Sequence, residues 1–420
     1  MSGFSIAIAG LGSRGREVYA RFAHDQNIPI TAVADTDPAR VAEAAETFGI
    51  ARDHCFVSAD ELLKQGKLAD ALVVCTQDEN HFDTSVRALK KGYHLLLEKP
   101  IATKEEHCAE IARVAAEENR NVVVCHVLRY SPLYRRIKEI IDSGGIGEIV
   151  TVSAFEGVGF FHQAHSFVRG AWGNTKESSP MILAKCCHDA DILVWLIGRR
   201  IKSVSSFGGL YYFKAEKAPR GAALRCLGDC KAKDGCPYDA EKIYFTNEST
   251  GIRKGNIGWP ANVLTRDVTE NGIREALISG PYGRCVFHCD NDAVDHQVVN
   301  MEFEGGITAQ LTMTAFSPVV KRTMRVMGTL GQIEADTQTN IIMTSVFGKE
   351  ETAEKISIER ENENHGGGDI RLFNAFTALM TKGESDTSLT SVERSVESHL
   401  ICFAAERSRL NGGAPELLGG

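Results

Sequence analysis

Three features are missing or scarce in this chain, and each absence excludes a class of protein. No apolar run approaches the about 20 residues of a membrane-spanning helix, and the first residues lack the charged and apolar regions of a signal peptide. Basic residues are not in excess, since 47 Lys and Arg stand against 55 Asp and Glu, a formal net charge of −8. A nucleic-acid partner requires a basic face. We therefore expect a cytoplasmic protein with no membrane or nucleic-acid partner.

Cysteine is not scarce, but the 12 cysteines do not predict disulfides. Cys75 and Cys125 lie in apolar segments of a large chain, where a thiol behaves as a small apolar group. Cys226, Cys230 and Cys236 form a compact trio that suggests zinc. No fourth ligand is visible, and the spacing is not that of a zinc knuckle. We predict no metal site, with zinc, packing and an adventitious disulfide as the open alternatives for the trio.

A dinucleotide-binding pattern opens the chain. The apolar run 4–9 is followed at once by Gly10-Leu11-Gly12-Ser13-Arg14-Gly15 and by a helix-like stretch over 16–23. In this strand–loop–helix context G-x-G-x-x-G is a dinucleotide fingerprint. The first glycine permits the tight turn, the second lets the backbone approach a pyrophosphate, and the third allows close packing of helix on strand. The helix N-terminus adds partial positive charge for the phosphates.

Asp35 ends the second predicted strand, 29–35, at the place where a carboxylate binds the adenosine ribose. Its charge would repel a 2′-phosphate, so the sequence favours NAD. Arg14 and Arg40 are nearby cations that leave NADP open as the alternative.

The rest of the chain divides into two patterns, and 420 residues are too many for one ordinary core. Up to residue 125 strands alternate with helices, which indicates a parallel sheet with right-handed crossovers. From 126 onward strands follow each other in series, which indicates a mostly antiparallel sheet packed against helices. The predicted domains are 1–125 for NAD(P) and 126–420 for substrate and oligomerisation. The predicted strands are 69–75, 93–98, 121–125, 149–155, 201–207, 298–303, 307–314, 325–327 and 341–346, and the predicted helices are 38–48, 81–91, 104–119 and 132–143.

Lys99 is the first candidate catalytic residue. The apolar strand 93–98 delivers it to the carboxyl end of the parallel sheet, where ligands bind in open α/β folds. Pro100 restricts the backbone of Lys99 to extended or turn geometry, so the chain itself directs the amine. Lysine suits stabilisation of an alkoxide.

A second cluster lies in the predicted helix 185–198. Lys185, His188 and Asp191 recur every three residues, which places them near one helix face. Histidine titrates near neutrality and suits proton exchange with a hydroxyl. Asp191 is either a substrate ligand or the group that orients the imidazole. Hydride transfer from a secondary alcohol needs such a base and a cation near the oxygen.

These residues resemble the Gfo/Idh/MocA oxidoreductases over nearly the whole chain. The resemblance rests on the glycine loop 10–15, on Glu98-Lys99-Pro100, on Arg129-Tyr130-Ser131-Pro132 and on the His188 helix. It implies an α/β Rossmann domain with a parallel sheet, followed by an α+β domain with a large, mostly antiparallel, open-faced sheet. It further implies NAD(P) in the cleft and sugars or polyols as substrates. Lys99 and His188 are implied to face the substrate, and assembly into a homodimer or homotetramer through the open sheet face is suggested.

The chain departs from the family pattern at Ala184, where many members carry an aspartate four residues before the histidine. The carboxylate–histidine relay is therefore in doubt. Lys185 follows and offers a second cation, which would suit an acidic or heavily oxygenated sugar.

The resemblance completes the predicted site. The predicted substrate-binding residues are Lys185, Arg169, Trp172 and Asp191, and the predicted cofactor-binding residues are Gly10, Gly12, Ser13, Arg14, Gly15, Asp35, Thr76, His81, Glu98, Lys99 and Arg129. The segment 291–297 is a candidate for sugar or subunit contacts. The segment 365–369 opens a helix with Asp369 as its predicted cap.

Three functions remain open on this pattern. The leading one is an NAD-dependent sugar or polyol dehydrogenase, in which Lys99 polarises the reacting oxygen and His188 exchanges its proton. The second is a redox glycosidase that oxidises a sugar hydroxyl transiently, eliminates the aglycone and returns the hydride without net NADH. The third is a non-catalytic regulator that binds NAD(P) as a signal.

Overall fold

A parallel sheet of six strands forms the first half of the protein. The computed structural model describes residues 3–355, 364–385 and 389–419. The strand order is β3-β2-β1-β4-β5-β6, and the strands are β1 Ile6–Ala9, β2 Ile30–Ala34, β3 Cys55–Phe56, β4 Ala71–Val74, β5 His94–Leu97 and β6 Val122–Val124. All neighbours pair in parallel. The predicted Rossmann sheet is confirmed.

The register of the central strands brings the candidate residues to one edge. The last residue of β1, Ala9, pairs with Val74 of β4, and Val74 pairs with Leu97 of β5. The chain therefore leaves these three strands side by side, into the glycine loop, into the Thr76 loop and into Glu98-Lys99. This is the carboxyl edge at which open α/β sheets bind ligands.

Helices cover both faces of this sheet, as a parallel sheet requires. The predicted helix 38–48 is confirmed with its bounds: Pro38 opens it, the Asp37 side chain accepts the Ala39 N–H at 3.0 Å, and Gly49 ends it with a φ of 68°. The helices here are Ser13–Ala20 (of the wide π type), Arg21–Asp25, Pro38–Phe48, Ala59–Lys64, His81–Lys90 and Glu105–Glu117.

The second sheet has nine strands in the order β14-β13-β12-β11-β7-β10-β9-β8-β15. They are β7 Ile149–Gly157, β8 Ile201–Gly209, β9 His296–Phe303, β10 Thr308–Thr314, β11 Lys321–Gly328, β12 Gly331–Asp336, β13 Ile341–Val346, β14 Thr352–Lys355 and β15 Glu416–Leu417. Only the central pair β7–β10 is parallel, so the predicted mostly antiparallel sheet is confirmed. The sequence missed β3, β12, β14 and β15, three of which are too short to show an alternating apolar pattern.

The last two long helices join the two halves. Leu372, Phe373 and Phe376 of the helix Gly368–Lys382 are buried with apolar residues of the parallel sheet. The helix Val392–Leu410 packs on β8 and on the helix Cys187–Ile197. The C-terminal part of the chain thus contributes to the core of the first half, and the domain limits 1–125 and 126–420 stay a prediction. Within the described residues, no helix combines the length and apolarity needed to cross a membrane.

The remaining helices lie in the second half. They are Pro132–Asp142, Phe160–His162, Gln163–Arg169 (π type), Met181–Ala184, Cys187–Ile197, Lys242–Thr246 (π type), Ala261–Leu264 and Glu270–Ser279. The helices Gly368–Lys382 and Val392–Leu410, described above, join the two halves, and short 3₁₀ turns complete the helical segments.

Candidate active site

The glycine loop has the geometry that a dinucleotide requires. A Cβ atom on Gly10 would lie 2.3 Å from the carbonyl oxygen of Cys75, and one on Gly15 would lie 1.9 Å from the carbonyl oxygen of Gly10. Both positions therefore demand glycine for packing. Gly12 differs, because a Cβ there would meet no atom within 4 Å. The open space beside Gly12, at the start of the helix Ser13–Ala20, fits a pyrophosphate.

Asp35 connects the end of β2 to this loop. Its Oδ2 accepts the Leu11 N–H at 2.6 Å, and its Oδ1 accepts the Asp37 N–H at 2.8 Å. The Arg40 Nη1 lies 3.9 Å from Oδ2. The carboxylate is thus placed beside the glycine loop, where the ribose role predicted for it is sterically consistent.

Lys99 projects from the end of β5 towards the second half of the molecule. Its Nζ donates a hydrogen bond to the carbonyl oxygen of Ala184 at 2.9 Å. Two histidines hold the loop that carries it: His81 Nδ1 lies 2.7 Å from the Pro100 oxygen, and His399 Nε2 accepts the Ile101 N–H at 2.9 Å. His81 Nε2 lies 3.1 Å from the Thr76 oxygen. The structure therefore gives His81, which the sequence assigns to the cofactor, the role of positioning the Lys99 loop.

Acid is expected to destabilise this loop through His399. Its Nδ1 lies 2.9 Å from the Ser395 oxygen while its Nε2 accepts from Ile101, so the ring is held in one neutral tautomer. Burial, together with the nearby His126, lowers the pKa of His399 to about 3. An unfolded histidine takes its proton near pH 6.5, so the free energy of unfolding falls as the pH drops below that value, by up to about 1.4 kcal/mol per pH unit from this residue.

Urea unfolding of wild type and His399→Gln between pH 7.5 and pH 5 measures this effect. We expect a shallower fall of the unfolding free energy in the variant. His24→Gln is the control, because the His24 side chain is 61% exposed. Equal slopes in wild type and His399→Gln would contradict the assignment.

His188 is a buried, neutral imidazole near Lys99. It lies in the first turn of the helix Cys187–Ile197 and is 6% exposed. Burial lowers its pKa well below the ordinary value, and the charge of Lys99 is the next largest cause. Its Nδ1 has no hydrogen-bond partner among the described residues, and the rings of His126 and His365 are centred 5.8 and 5.7 Å away. The structure thus brings together the two predicted catalytic side chains.

Lys185 is not on the helix of His188, which corrects the predicted single helix 185–198. It follows the short helix Met181–Ala184, and the next helix begins at Cys187. Its Nζ lies 3.6 Å from Glu156 Oε1, and burial lowers the pKa of this amine. Arg322 Nε lies 2.8 Å from both Glu156 Oε2 and Asp189 Oδ1. Two cations and two carboxylates therefore balance each other in this cluster.

Asp191 and Arg129 form a buried, bidentate ion pair. Arg129 Nε and Nη2 lie 2.6 and 2.5 Å from the two carboxylate oxygens, and both side chains are at most 3% exposed. The sequence assigns Asp191 to the substrate or to the His188 imidazole, and Arg129 to the cofactor. The structure instead occupies both carboxylate oxygens with the guanidinium, so each side chain has an internal partner.

Arg14 is also held by carboxylates. Its Nε lies 2.5 Å from Glu98 Oε1 and its Nη2 lies 2.6 Å from Asp369 Oδ1. Asp369 is not the cap of its helix, since Gly367 occupies that position. Against the opposing effect of burial, Arg14 and His365 hold the pKa of the Asp369 carboxyl well below its usual range. The glycine-rich segment thus brings His365 towards His188 and locks it to the cofactor loop.

Among the remaining predicted residues, Arg169 is directed into the protein interior, whereas Trp172 and Thr76 lie near the loop that follows β4. Arg169 is 1% exposed and donates to the carbonyl oxygens of Arg284 and Tyr238, both at 2.7 Å, so it is directed into the protein interior. Trp172 reaches the first half, where its Nε1 donates to Asp78 Oδ2 at 3.2 Å. Thr76 precedes Asp78 on the β4 loop, and its buried Oγ1 has no partner among the described residues.

Comparison with protein families identifies this architecture. Residues 4–126 match the model described as an oxidoreductase family with an NAD-binding Rossmann fold, and residues 134–223 match the Gfo/Idh/MocA C-terminal domain. The chain belongs to the Gfo/Idh/MocA family. The resemblance predicted from the glycine loop and Glu98-Lys99-Pro100 is confirmed, and with it an NAD-binding oxidoreductase fold.

Individual relatives extend this similarity within the Gfo/Idh/MocA family. YteT of Bacillus subtilis (strain 168), named as an oxidoreductase, is 24% identical over 87% of this chain and 86% of its own length. Inositol 2-dehydrogenase 2 of Saccharopolyspora erythraea is 31% identical over 42% of this chain and 48% of its own. A solved inositol dehydrogenase homologue of Azotobacter vinelandii, complexed with NADH and myo-inositol, has a TM-score of 0.65 and 16% identity, covering 99% of this chain and 98% of that one. The similarity to this solved structure shows that the two chains share a fold.

The cysteine trio lies in the part of this Gfo/Idh/MocA chain that follows the matched residues. Cys226, Cys230 and Cys236 line one cavity of about 10 Å³ together with Cys285, and all are free thiols. Across residues 3–355, 364–385 and 389–419, no three His, Cys, Asp or Glu side chains are placed to hold a metal ion. The four thiols share this cavity with the buried Arg169.

Several site residues were absent from the prediction. Glu156 carried a usable signal, because it follows Val152 and Ala154 at the inward positions of β7, where a charged residue requires a buried partner. Arg322 carried none, since only the folded chain brings it to Glu156, and His365 was named only as part of the segment 365–369, without its contact with His188.

Proposed function

We propose that this Gfo/Idh/MocA protein is an NAD-dependent dehydrogenase that transfers a hydride between a sugar or polyol hydroxyl and the nicotinamide. One observation carries the proposal: Lys99 leaves the sheet edge that bears the glycine loop, its Nζ reaches the Ala184 carbonyl, and its charge acts on the buried, neutral imidazole of His188. An alcohol placed there would find a cation for its oxygen and a base for its proton.

The chain supplies the two polar steps of this reaction. His188 remains neutral because it is buried near Lys99, and its Nδ1, which has no partner among residues 3–355, 364–385 and 389–419, is available to accept the hydroxyl proton. Lys99 can exchange its bond with the Ala184 carbonyl for one with the substrate oxygen, and so stabilise the developing alkoxide. Bound NAD supplies the acceptor for the carbinol hydride.

The residues at the cofactor position fit NAD. Gly12 leaves open space for the pyrophosphate, and Thr76 Oγ1 is a buried hydroxyl without a partner among the described residues. The carboxylate of Asp35 favours a ribose 2′-hydroxyl over a 2′-phosphate. Arg40, 3.9 Å from Asp35, keeps NADP as the alternative cofactor.

The charge balance near the site favours a neutral polyol as substrate. The sequence suggests that Lys185 is a free cation for an acidic sugar, but Glu156 and Asp189 match the charges of Lys185 and Arg322. Lys99, whose Nζ is bonded to a carbonyl oxygen, remains available to a substrate oxygen, and one cation suits the single alkoxide formed from a neutral polyol. The inositol-named relative supports the same substrate class.

A panel of polyols, sugars and aryl glycosides tests the proposal when NADH formation and released aglycone are recorded together. We expect NADH with at least one neutral polyol or sugar and no aglycone. Aglycone without NADH would show the redox glycosidase instead. Tight NAD binding with neither product would show the regulator.

A further inference from the structure

A segment outside the matched family domains crosses from the second half of the molecule to the cofactor half. We call residues 257–267 the strap. Asn262 Nδ2 donates a hydrogen bond to Glu17 Oε1 at 2.9 Å, and Arg266 pairs with the carboxylate of Asp37. Both contacts join residues more than 200 positions apart, so they fix the strap across the fold.

The anchors of the strap flank the positions proposed for NAD. Glu17 lies in the helix Ser13–Ala20, which begins at the glycine loop. Asp37 follows Asp35 by two residues, and its N–H donates to Asp35 Oδ1 at 2.8 Å. One anchor therefore lies beside the pyrophosphate position and the other beside the adenosine ribose.

The opposite end of the strap packs against two histidines of the second half of the molecule. The Trp259 ring is centred 4.8 Å from the ring of His162 and 5.3 Å from that of His165. Burial lowers the pKa of His162 well below its ordinary value, and the charges of Lys185 and Lys99 contribute. Trp259 therefore packs on a histidine whose pKa responds to the charges of Lys185 and Lys99, and it remains 39% exposed.

The strap is a built part of the fold. Ala261 is fully buried and belongs to one apolar cluster with Ile273 and Leu277. The side-chain oxygen of Asn262, Oδ1, is buried and has no partner among the described residues. The centre of the strap therefore presents, next to Glu17 of the helix that follows the glycine loop, a polar atom that a bound dinucleotide can satisfy.

We propose that the strap controls the release of NADH from this enzyme. The strap extends from Trp259, which packs on His162, to Arg266 beside the ribose position, and NADH leaves only after the Asn262 and Arg266 contacts open. Opening of such a segment commonly limits turnover. This inference rests on the proposed NAD-dependent function and adds the residues that set its release step.

Stopped-flow displacement of NADH from the full-length protein tests the strap. Each exposed polar contact accounts for about a threefold change in a rate constant, so Asn262→Ala/Arg266→Ala is expected to release NADH about tenfold faster, with a nearly unchanged association rate. Arg266→Lys keeps the charge and should restore part of the slow release. Equal unfolding temperatures of wild type and variants show that the fold is intact.

Arg253→Ala is the matched control. Arg253 lies in the same part of the chain as the strap and pairs with Glu270 at 2.8 Å. Its side chain is 48% exposed, against 47% for Arg266. Both partners of this pair lie in the second half of the molecule, so the pair does not connect the two halves. It should release NADH at the wild-type rate. If the double variant also releases NADH at that rate, the strap proposal is overturned while NAD binding stands. If wild type binds neither NAD nor NADP, the proposed function fails first.

Discussion

Replacing Lys99 with alanine is expected to lower kcat by about 10²–10³-fold, with NAD still bound. The amine is half-buried and donates a hydrogen bond to the carbonyl of Ala184, the residue four positions before His188 in sequence. An alkoxide at this place would lose its cation in the variant. The glycine loop and Asp35 remain, so calorimetry should give NAD binding close to wild type.

The control for this experiment is Lys104→Ala. Lys104 follows on the same connection, is exposed, and precedes the helix Glu105–Glu117. Its loss should leave kcat unchanged with the polyol or sugar found in the panel. Partial recovery of Lys99→Ala by added alkylamines would further support a cationic role. A kcat for Lys99→Ala within about threefold of wild type would refute the assignment, because one oxyanion donor accounts for far more.

Replacing Asp191 with alanine is expected to lower the free energy of unfolding by about 3–5 kcal/mol. Arg129 would then keep its charge in a site where its side chain is 3% exposed, with neither carboxylate oxygen left to accept its two hydrogen bonds. Burial raises the pKa of the Asp191 carboxyl in spite of the attraction of Arg129, which shows how strongly this site disfavours an isolated charge.

Urea unfolding of Asp191→Ala, of Asp191→Asn and of the double variant Arg129→Met/Asp191→Leu measures this effect. The double variant removes both charges and should recover much of the lost stability. The activity of each variant per folded molecule separates a structural role from substrate binding. If Asp191→Asn loses substrate affinity while its free energy of unfolding equals that of wild type, Asp191 binds the substrate as the sequence predicts.

Local patterns were sufficient for the cofactor half. The glycine loop, Asp35 and the helix Pro38–Phe48 each depend on neighbours in sequence: a turn that only glycine can make, a strand end, and a proline at a helix start. The position of Lys99 at the sheet edge also followed, because parallel strands end side by side. His188 was found through its helix and the family resemblance.

Charge pairing could not be derived in the same way. Arg14, Arg129 and Lys185 were assigned to ligands, but the fold gives each of them a carboxylate partner. Arg14 pairs with Glu98 and Asp369, Arg129 pairs with Asp191, and Lys185 pairs with Glu156. Most of these partners are distant in sequence. In a sequence pattern, a charged side chain that binds a ligand looks the same as one that pairs with another side chain. Its burial in the folded chain decides which of these two roles it has.

The sequence alone determined the parallel dinucleotide-binding sheet, the antiparallel second sheet and the family, because strand period, glycine positions and strand ends are local properties of the chain. The tertiary structure alone decided which charges are free, which loops hold Lys99, and where the strap crosses. Those properties depend on contacts such as Ile101 with His399 and Arg266 with Asp37, between residues about 230 to 300 positions apart. Their energies come from burial and mutual neutralisation, which exist only once the chain has folded.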